Sequence, residues 1–173
     1  MRNLRALAAA AACLLLAVSM SGCVDIYGSK DLFSSRGAPA APVYKTVTKA
    51  DASHGFETKP TDPGSFSYNF VKSFKVKKEA EWLKVKITLV LVTLPSQIPG
   101  DLVPERYLRV RVVMADGASW VDDRYTNTTQ AESEAQSPLD GPWTLTVDAV
   151  GVGLAQAGYQ DSVRVLITVR EPV

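Results

Sequence analysis

From Phe66 onward, apolar and polar residues alternate with a period of two, the signature of half-buried β-strands. Phe66, Tyr68, Phe70, Phe74 and Val76 share one face of the first segment, with Ser67, Asn69, Ser73, Lys75 and Lys77 on the other. In the second, Leu83, Val85, Ile87, Leu89 and Leu91 align. Its opposite face begins polar (Lys84, Lys86, Thr88) and ends apolar (Val90, Val92), which predicts a central strand with its far half covered on both sides. Pro95 and Pro99-Gly100 end that segment. A third turns Leu108, Val110, Val112 and Met114 inward and Arg109 and Arg111 outward, and Asp116-Gly117 follows as a tight-turn signal. Trp120 to Tyr125 reads as a short strand, Glu132 to Gln136 is polar and ambiguous, and Pro138 to Pro142 is a turn. Trp143, Leu145, Val147 and Ala149, then Val163, Val165, Ile167 and Val169, complete the inward set.

No stretch after residue 65 carries a 3.6-residue period. The expected fold is all-β: an antiparallel β-sandwich, jelly-roll-like, of about seven or eight strands. Closure into a small barrel is the alternative. Hydrophobic residues make up 46% of the chain, enough to bury a core.

The first 22 residues read differently. Arg2 and Arg5 precede an unbroken apolar run from Ala6 to Val18, too short to span a bilayer comfortably, and small residues follow. This is the pattern of a secretory signal. Val18-Ser19-Met20-Ser21-Gly22-Cys23 resembles the lipobox of prokaryotic lipoproteins, with Met20 where Leu is usual. That resemblance implies cleavage between Gly22 and Cys23 and a diacylglyceryl group on the Cys23 thiol. Two acyl chains anchor stably where one does so only marginally. The other cysteine, Cys13, lies inside the apolar run and would leave with the signal. Residues 23–64 then read as a lipidated cysteine and tether, with breaker clusters at Ser34 to Pro42 and Thr58 to Gly64. About 40 flexible residues reach roughly 35 Å. Within the tether, Val43 to Lys49 has the alternation of an isolated strand, able to add to the open edge of a neighbour. Residues 65–173 are the expected sandwich domain. The implied location is outside the cytoplasm, on a membrane surface.

Gly141-Pro142-Trp143-Thr144-Leu145-Thr146-Val147, after Leu108-Arg109-Val110-Arg111-Val112 and Asp116-Gly117, resembles the G-x-W-x-L-x-V strand of jelly-roll modules such as the P domains of proprotein convertases and prepeptidase C-terminal domains. The resemblance spans about residues 66–171 and implies a non-catalytic accessory or binding domain. No acidic motif matching the metal sites of those modules is present.

The charge is balanced, with 19 basic and 18 acidic residues, which argues against a nucleic-acid partner. Removing residues 1–22 would leave one net negative charge. His54, the single histidine, reads as a solvated loop residue without the partners a triad or zinc site needs. Trp120 with Tyr125, beside Asp122 and Asp123, is the candidate ligand patch. In a strand the two aspartates point to opposite faces; in a loop they could meet one Ca²⁺ with Asp116 or Asp140. Glu132 and Glu134 share a strand face and are the carboxylates a small glycoside hydrolase would use; as a solvated edge they would block unwanted pairing. Asn127-Thr128-Thr129 fits a glycosylation sequon. Lys72, Lys75, Lys77, Lys78, Lys84 and Lys86 form either a basic patch or the wet face of a sheet. The leading expectation is a lipid-anchored, non-enzymatic sandwich that binds a partner protein or an envelope polysaccharide, with no cofactor beyond its lipid.

Overall fold

The computed structural model describes residues 41–59, 62–95, 103–154 and 158–173. The leader, Cys23, the first breaker cluster up to Ala40 and Pro99-Gly100 lie outside the described residues. Ten strands follow in chain order: β1 (Tyr44–Gly55), β2 (Ser67–Val76), β3 (Trp82–Val90), β4 (Tyr107–Val113), β5 (Ser119–Tyr125), β6 (Thr129–Gln136), β7 (Gly141–Val150), β8 (Gly153–Leu154), β9 (Tyr159–Gln160) and β10 (Ser162–Pro172). A 3₁₀ turn, Pro63–Phe66, leads into β2. Pro63 presets its first φ, and the Asp62 carboxylate caps it by accepting the Gly64 N–H at 2.9 Å.

The strands form two four-stranded sheets. Sheet I has the order β1-β10-β3-β6 and sheet II the order β2-β7-β4-β5, with β8-β9 as a small ribbon. Every pairing within them is antiparallel. The chain alternates between sheets at nearly every connection, the two-Greek-key connectivity of a jelly roll. Among the described residues no helix is long and apolar enough to cross a membrane.

The alternation explains the core. Leu83, Val85, Ile87 and Leu89 of β3 and Val163, Val165, Ile167 and Val169 of β10 are buried. They face Leu108, Val110 and Val112 of β4 and Trp143, Leu145, Val147 and Ala149 of β7 in one cluster. The Trp143 indole N–H is not stranded there, because it donates to the Leu139 carbonyl at 2.8 Å. Asp116-Gly117 makes the predicted β4–β5 turn, where Gly117 takes φ +85° and Asp116 accepts the Ala118 N–H.

Three expectations are corrected. The domain does not begin at residue 65: β1 pairs along its whole length with β10, so residues 44–55 belong to the sheet and not to a tether. The segment Val43 to Lys49 is therefore not an isolated strand; it is already hydrogen-bonded within its own chain. The far half of β3 is not covered on both sides, since Val90 is exposed. The polar run Glu132 to Gln136, ambiguous in sequence, lies in strand β6 at the opposite edge of sheet I, in agreement with its reading as a solvated edge.

The register of β1 shifts between Thr48 and Ala50, a bulge that re-aims a side chain. Lys49, at that shift, reaches the buried Glu171 carboxylate at 2.8 Å. At the sandwich end that gathers the β1–β2, β3–β4 and β7–β8 connections, Asp161 is fully buried. Its carboxylate accepts from the Val92 N–H at 2.8 Å, the Val152 N–H at 2.9 Å and the Arg106 guanidinium at 3.2 Å. Its own carbonyl accepts the Phe56 N–H. One residue, through its carboxylate and its carbonyl, thus ties three connecting segments to the start of β10.

Candidate functional site

The outer face of sheet II is built by register. The outward residues of β7 are Thr144, Thr146 and Asp148, and those of β4 are Tyr107, Arg109, Arg111 and Val113, because their neighbours Leu145, Val147, Leu108, Val110 and Val112 are buried. Pairing then lays out rows across the sheet. Asn69, Asp148, Arg109 and Arg124 form one; Val71, Thr146, Arg111 and Asp122 form the next; Ser73, Thr144, Val113 and Ser119 form a third. Strands are spaced about 4.8 Å apart, so each row crosses about 14 Å.

A shallow cleft of about 220 Å³ opens in this face, lined by Arg109, Arg111, Thr146 and Asp148. The Arg109 guanidinium forks onto Asp122, with Nε 3.1 Å from one carboxylate oxygen and a terminal nitrogen 3.3 Å from the other. The Tyr107 hydroxyl donates to Asp148 at 3.0 Å. Burial, then that hydrogen bond, push the Tyr107 phenol above its ordinary value. The Arg124 guanidinium lies 4.4 Å from the Tyr107 ring centroid, within cation–π range, and also pairs with Glu105 at 3.0 Å. Arg111 stands apart: its Nε is 3.8 Å from Asp122, its side chain is 52% exposed, and among the described residues its guanidinium donates no hydrogen bond. The cleft therefore combines uncommitted N–H donors, a threonine hydroxyl and an oriented carboxylate.

The outer face of sheet I also has a cleft, of about 300 Å³ beside Lys86, Thr88, Gln130 and Glu132, but its charges are paired with one another. Lys84 lies 2.7 Å from Glu134 and 3.5 Å from Glu132, and Lys86 lies 3.3 Å from Glu132. Arg164 forks onto Asp51, and Arg170 pairs with Glu81. The hydrogen bond from Lys86, then its charge, hold the Glu132 carboxyl below its usual range, the reverse of what a general acid needs.

The structure does not gather the predicted ligand patch into one surface. Trp120 packs against the buried Trp143, ring centroids 5.8 Å apart at 79°, and is part of the core margin together with Tyr125. Asp123 accepts from the Tyr125 hydroxyl at 3.2 Å. Asp122 alone reaches the outer face, through Arg109. Asn127 is exposed in the β5–β6 connection, its carbonyl taken by the Thr129 hydroxyl at 2.7 Å. Among the described residues no three His, Cys, Asp or Glu side chains converge as a metal site. The lysine group divides, with Lys84 and Lys86 on sheet I and Lys72 and Lys75 on β2 of sheet II. His54 is not a solvated loop residue: it lies in β1, stacked on Tyr68 at 4.5 Å and 2° and edge-on to Phe56 at 4.9 Å.

Sequence reading registered Arg109 and Arg111 only as outward residues and did not single out Thr146, Asp148 or Tyr107. The available signal was the pair of outward sets Arg109-x-Arg111 and Thr144-x-Thr146-x-Asp148. That β4 and β7 are neighbours is a product of topology, not of spacing.

No protein-family model and no curated protein matches this chain. Among solved structures, a match is the Glycosylation Associate Protein (Gap123) complex from Streptococcus agalactiae, 12% identical, with a TM-score of 0.25. The alignment covers 79% of this chain and 35% of that one, so this chain spans about a third of the matched protein's length.

Proposed function

We propose that this protein is a cell-envelope lipoprotein, anchored by lipid on Cys23, whose jelly roll is a non-catalytic module binding an envelope component across the outer face of sheet II. The observation that carries the binding reading is the contrast between two surfaces: sheet I neutralises its outward charges pairwise, whereas sheet II leaves Arg111 uncommitted in a cleft with Thr146 and Asp148. A guanidinium with unused donors offers a ligand a charge-assisted hydrogen bond, stronger than a neutral one. The anchor reading rests on the apolar run and the lipobox-like Ser21-Gly22-Cys23. The face is a surface for recognition and not for bond cleavage, since its carboxylates are engaged by Arg109 and Tyr107.

Two measurements test the two halves. Intact mass of the native product should show loss of residues 1–22 and an acylated Cys23, and Cys23→Ser should move the protein from the membrane to the soluble fraction. A free, unmodified thiol at that position defeats the anchor. For the face, the Thr144→Cys variant should react with a maleimide in purified full-length protein and be protected by isolated envelope material. A Thr88→Cys variant on sheet I should react equally with and without that material. Equal reactivity of the sheet II thiol in both conditions defeats the binding face.

A further inference from the structure

The cleft also constrains the chemistry of what fills it. Neutral sugars are held largely by stacking on open aromatic rings. On the outer face of sheet II the aromatic side chain is Tyr107, and Arg124 already lies against it at 4.4 Å. What the face offers instead is guanidinium. Arg109, Arg111 and Arg124 have side chains 55%, 52% and 48% exposed. Two carboxylates stand on the face among them, and each has a partner: Asp122 is forked by Arg109, and Asp148 accepts from Tyr107. Arg124 in turn pairs with Glu105, which leaves Arg111, among the described residues, as the guanidinium that donates a hydrogen bond to no carboxylate, its Nε 3.8 Å from Asp122. A planar guanidinium with unused donors matches a carboxylate or a phosphate in bidentate fashion.

The hydroxyl content points the same way. Thr146 lies beside Arg111 in its row, and Ser73 and Thr144, joined at 3.1 Å, occupy the next. A row of about 14 Å accommodates a short run of linked sugars, anionic group on Arg111 and hydroxyls on the threonines. We infer, resting on the binding face proposed above, that its ligand is an acidic glycan, a polyhydroxylated polymer bearing carboxylate or phosphate groups. Recognition is a charge-assisted fork from Arg111 supported by a hydroxyl contact from Thr146, which lines the same cleft. Opposite charge makes the association salt-sensitive.

The experiment titrates purified full-length protein in detergent with polygalacturonate, with poly(glycerol phosphate) and with neutral dextran, at low and high sodium chloride. Binding to at least one acidic polymer, weakened by salt, with none to dextran, is expected. Arg111→Gln should weaken that binding about tenfold or more, while Lys84→Gln on sheet I leaves it unchanged. The two acidic polymers separate a carboxylate ligand from a phosphate one. Dextran binding as tight as either, or an Arg111→Gln variant that binds as the parent does, overturns the inference. If neither acidic polymer binds but envelope material still protects the Thr144→Cys thiol, the glycan class falls and the binding face stands. If protection is absent as well, both fall.

Discussion

The two outer faces of this sandwich carry similar residue types and use them in opposite ways. On sheet I, Lys84, Lys86, Arg164 and Arg170 each meet a carboxylate on their own sheet or on the residue entering it. On sheet II, Arg109 and Arg111 share one carboxylate, and Arg109 holds it more closely. Exposed pairs of either kind add little to stability, typically below about 1 kcal/mol. The faces therefore differ in what they can attract and hardly at all in what they hold together. Arrangement across strands, not composition, decides which face is open.

Stability should come from elsewhere, and this separates structure from recognition most sharply. Asp161→Ala strands the Arg106 guanidinium and two backbone N–H groups at the closed end, and should cost about 3 kcal/mol or more, read as a lower denaturation midpoint in urea. An unchanged midpoint would mean that the end segments hold without that carboxylate. On the open face, Asp122→Asn removes the competing carboxylate and should raise affinity for an acidic polymer about threefold; a fall would mark Asp122 as a positioning group for Arg109. The comparison can also be inverted. The double change Glu132→Gln with Glu134→Gln releases Lys84 and Lys86, and sheet I should then gain weak, salt-sensitive binding to the same polymer. If it gains none, lone cationic charge is insufficient and guanidinium geometry matters.

The smallest effect is with pH. Arg164 holds the Asp51 carboxyl below its usual range, and Lys86 does so for Glu132. A carboxyl lowered in the fold contributes stability above its unfolded value and loses it as pH falls through the folded one. Acid titration of the urea midpoint should therefore steepen below about pH 4. Asp51→Asn should flatten that limb without altering binding near neutrality. A limb of unchanged slope would show that the fork adds nothing to the folded state.

The interior strands of this fold were legible because their inward residues are large. β3, β4, β7 and β10 alternate Leu, Ile, Val and Trp with polar groups, and burial repeats that pattern. The two edges of sheet I were legible only in part, as an isolated strand over Val43 to Lys49 and an ambiguous run over Glu132 to Gln136, because their inward positions are small. β1 turns in Ala50 and Ala52; β6 has half-buried Ala131, Ser133 and Ala135. Alanine and serine have low β-propensity, so a period of two written in them looks like linker or loop. The small residues have a packing reason on the β1 side, where β1 approaches β2 and β2 supplies Tyr68, Phe70 and Phe74 to the same core. Large against small fills the gap that large against large would overpack. The site was half legible: the outward arginines follow from alternation, but their grouping with Thr146 and Asp148 follows from strand order, which no local pattern encodes.

The place of β10 has a kinetic corollary. It lies between β1 and β3 and pairs with both, so sheet I has no continuous centre until residues 162–172 are available. A chain emerging N-terminus first holds β1 and β3 apart, with the edge that each turns toward β10 unmet, for the whole time residues 91–161 are being delivered. Contacts so distant in sequence make for slow folding, and a holding factor that keeps the early strands from pairing with strangers would shorten the window for misassembly.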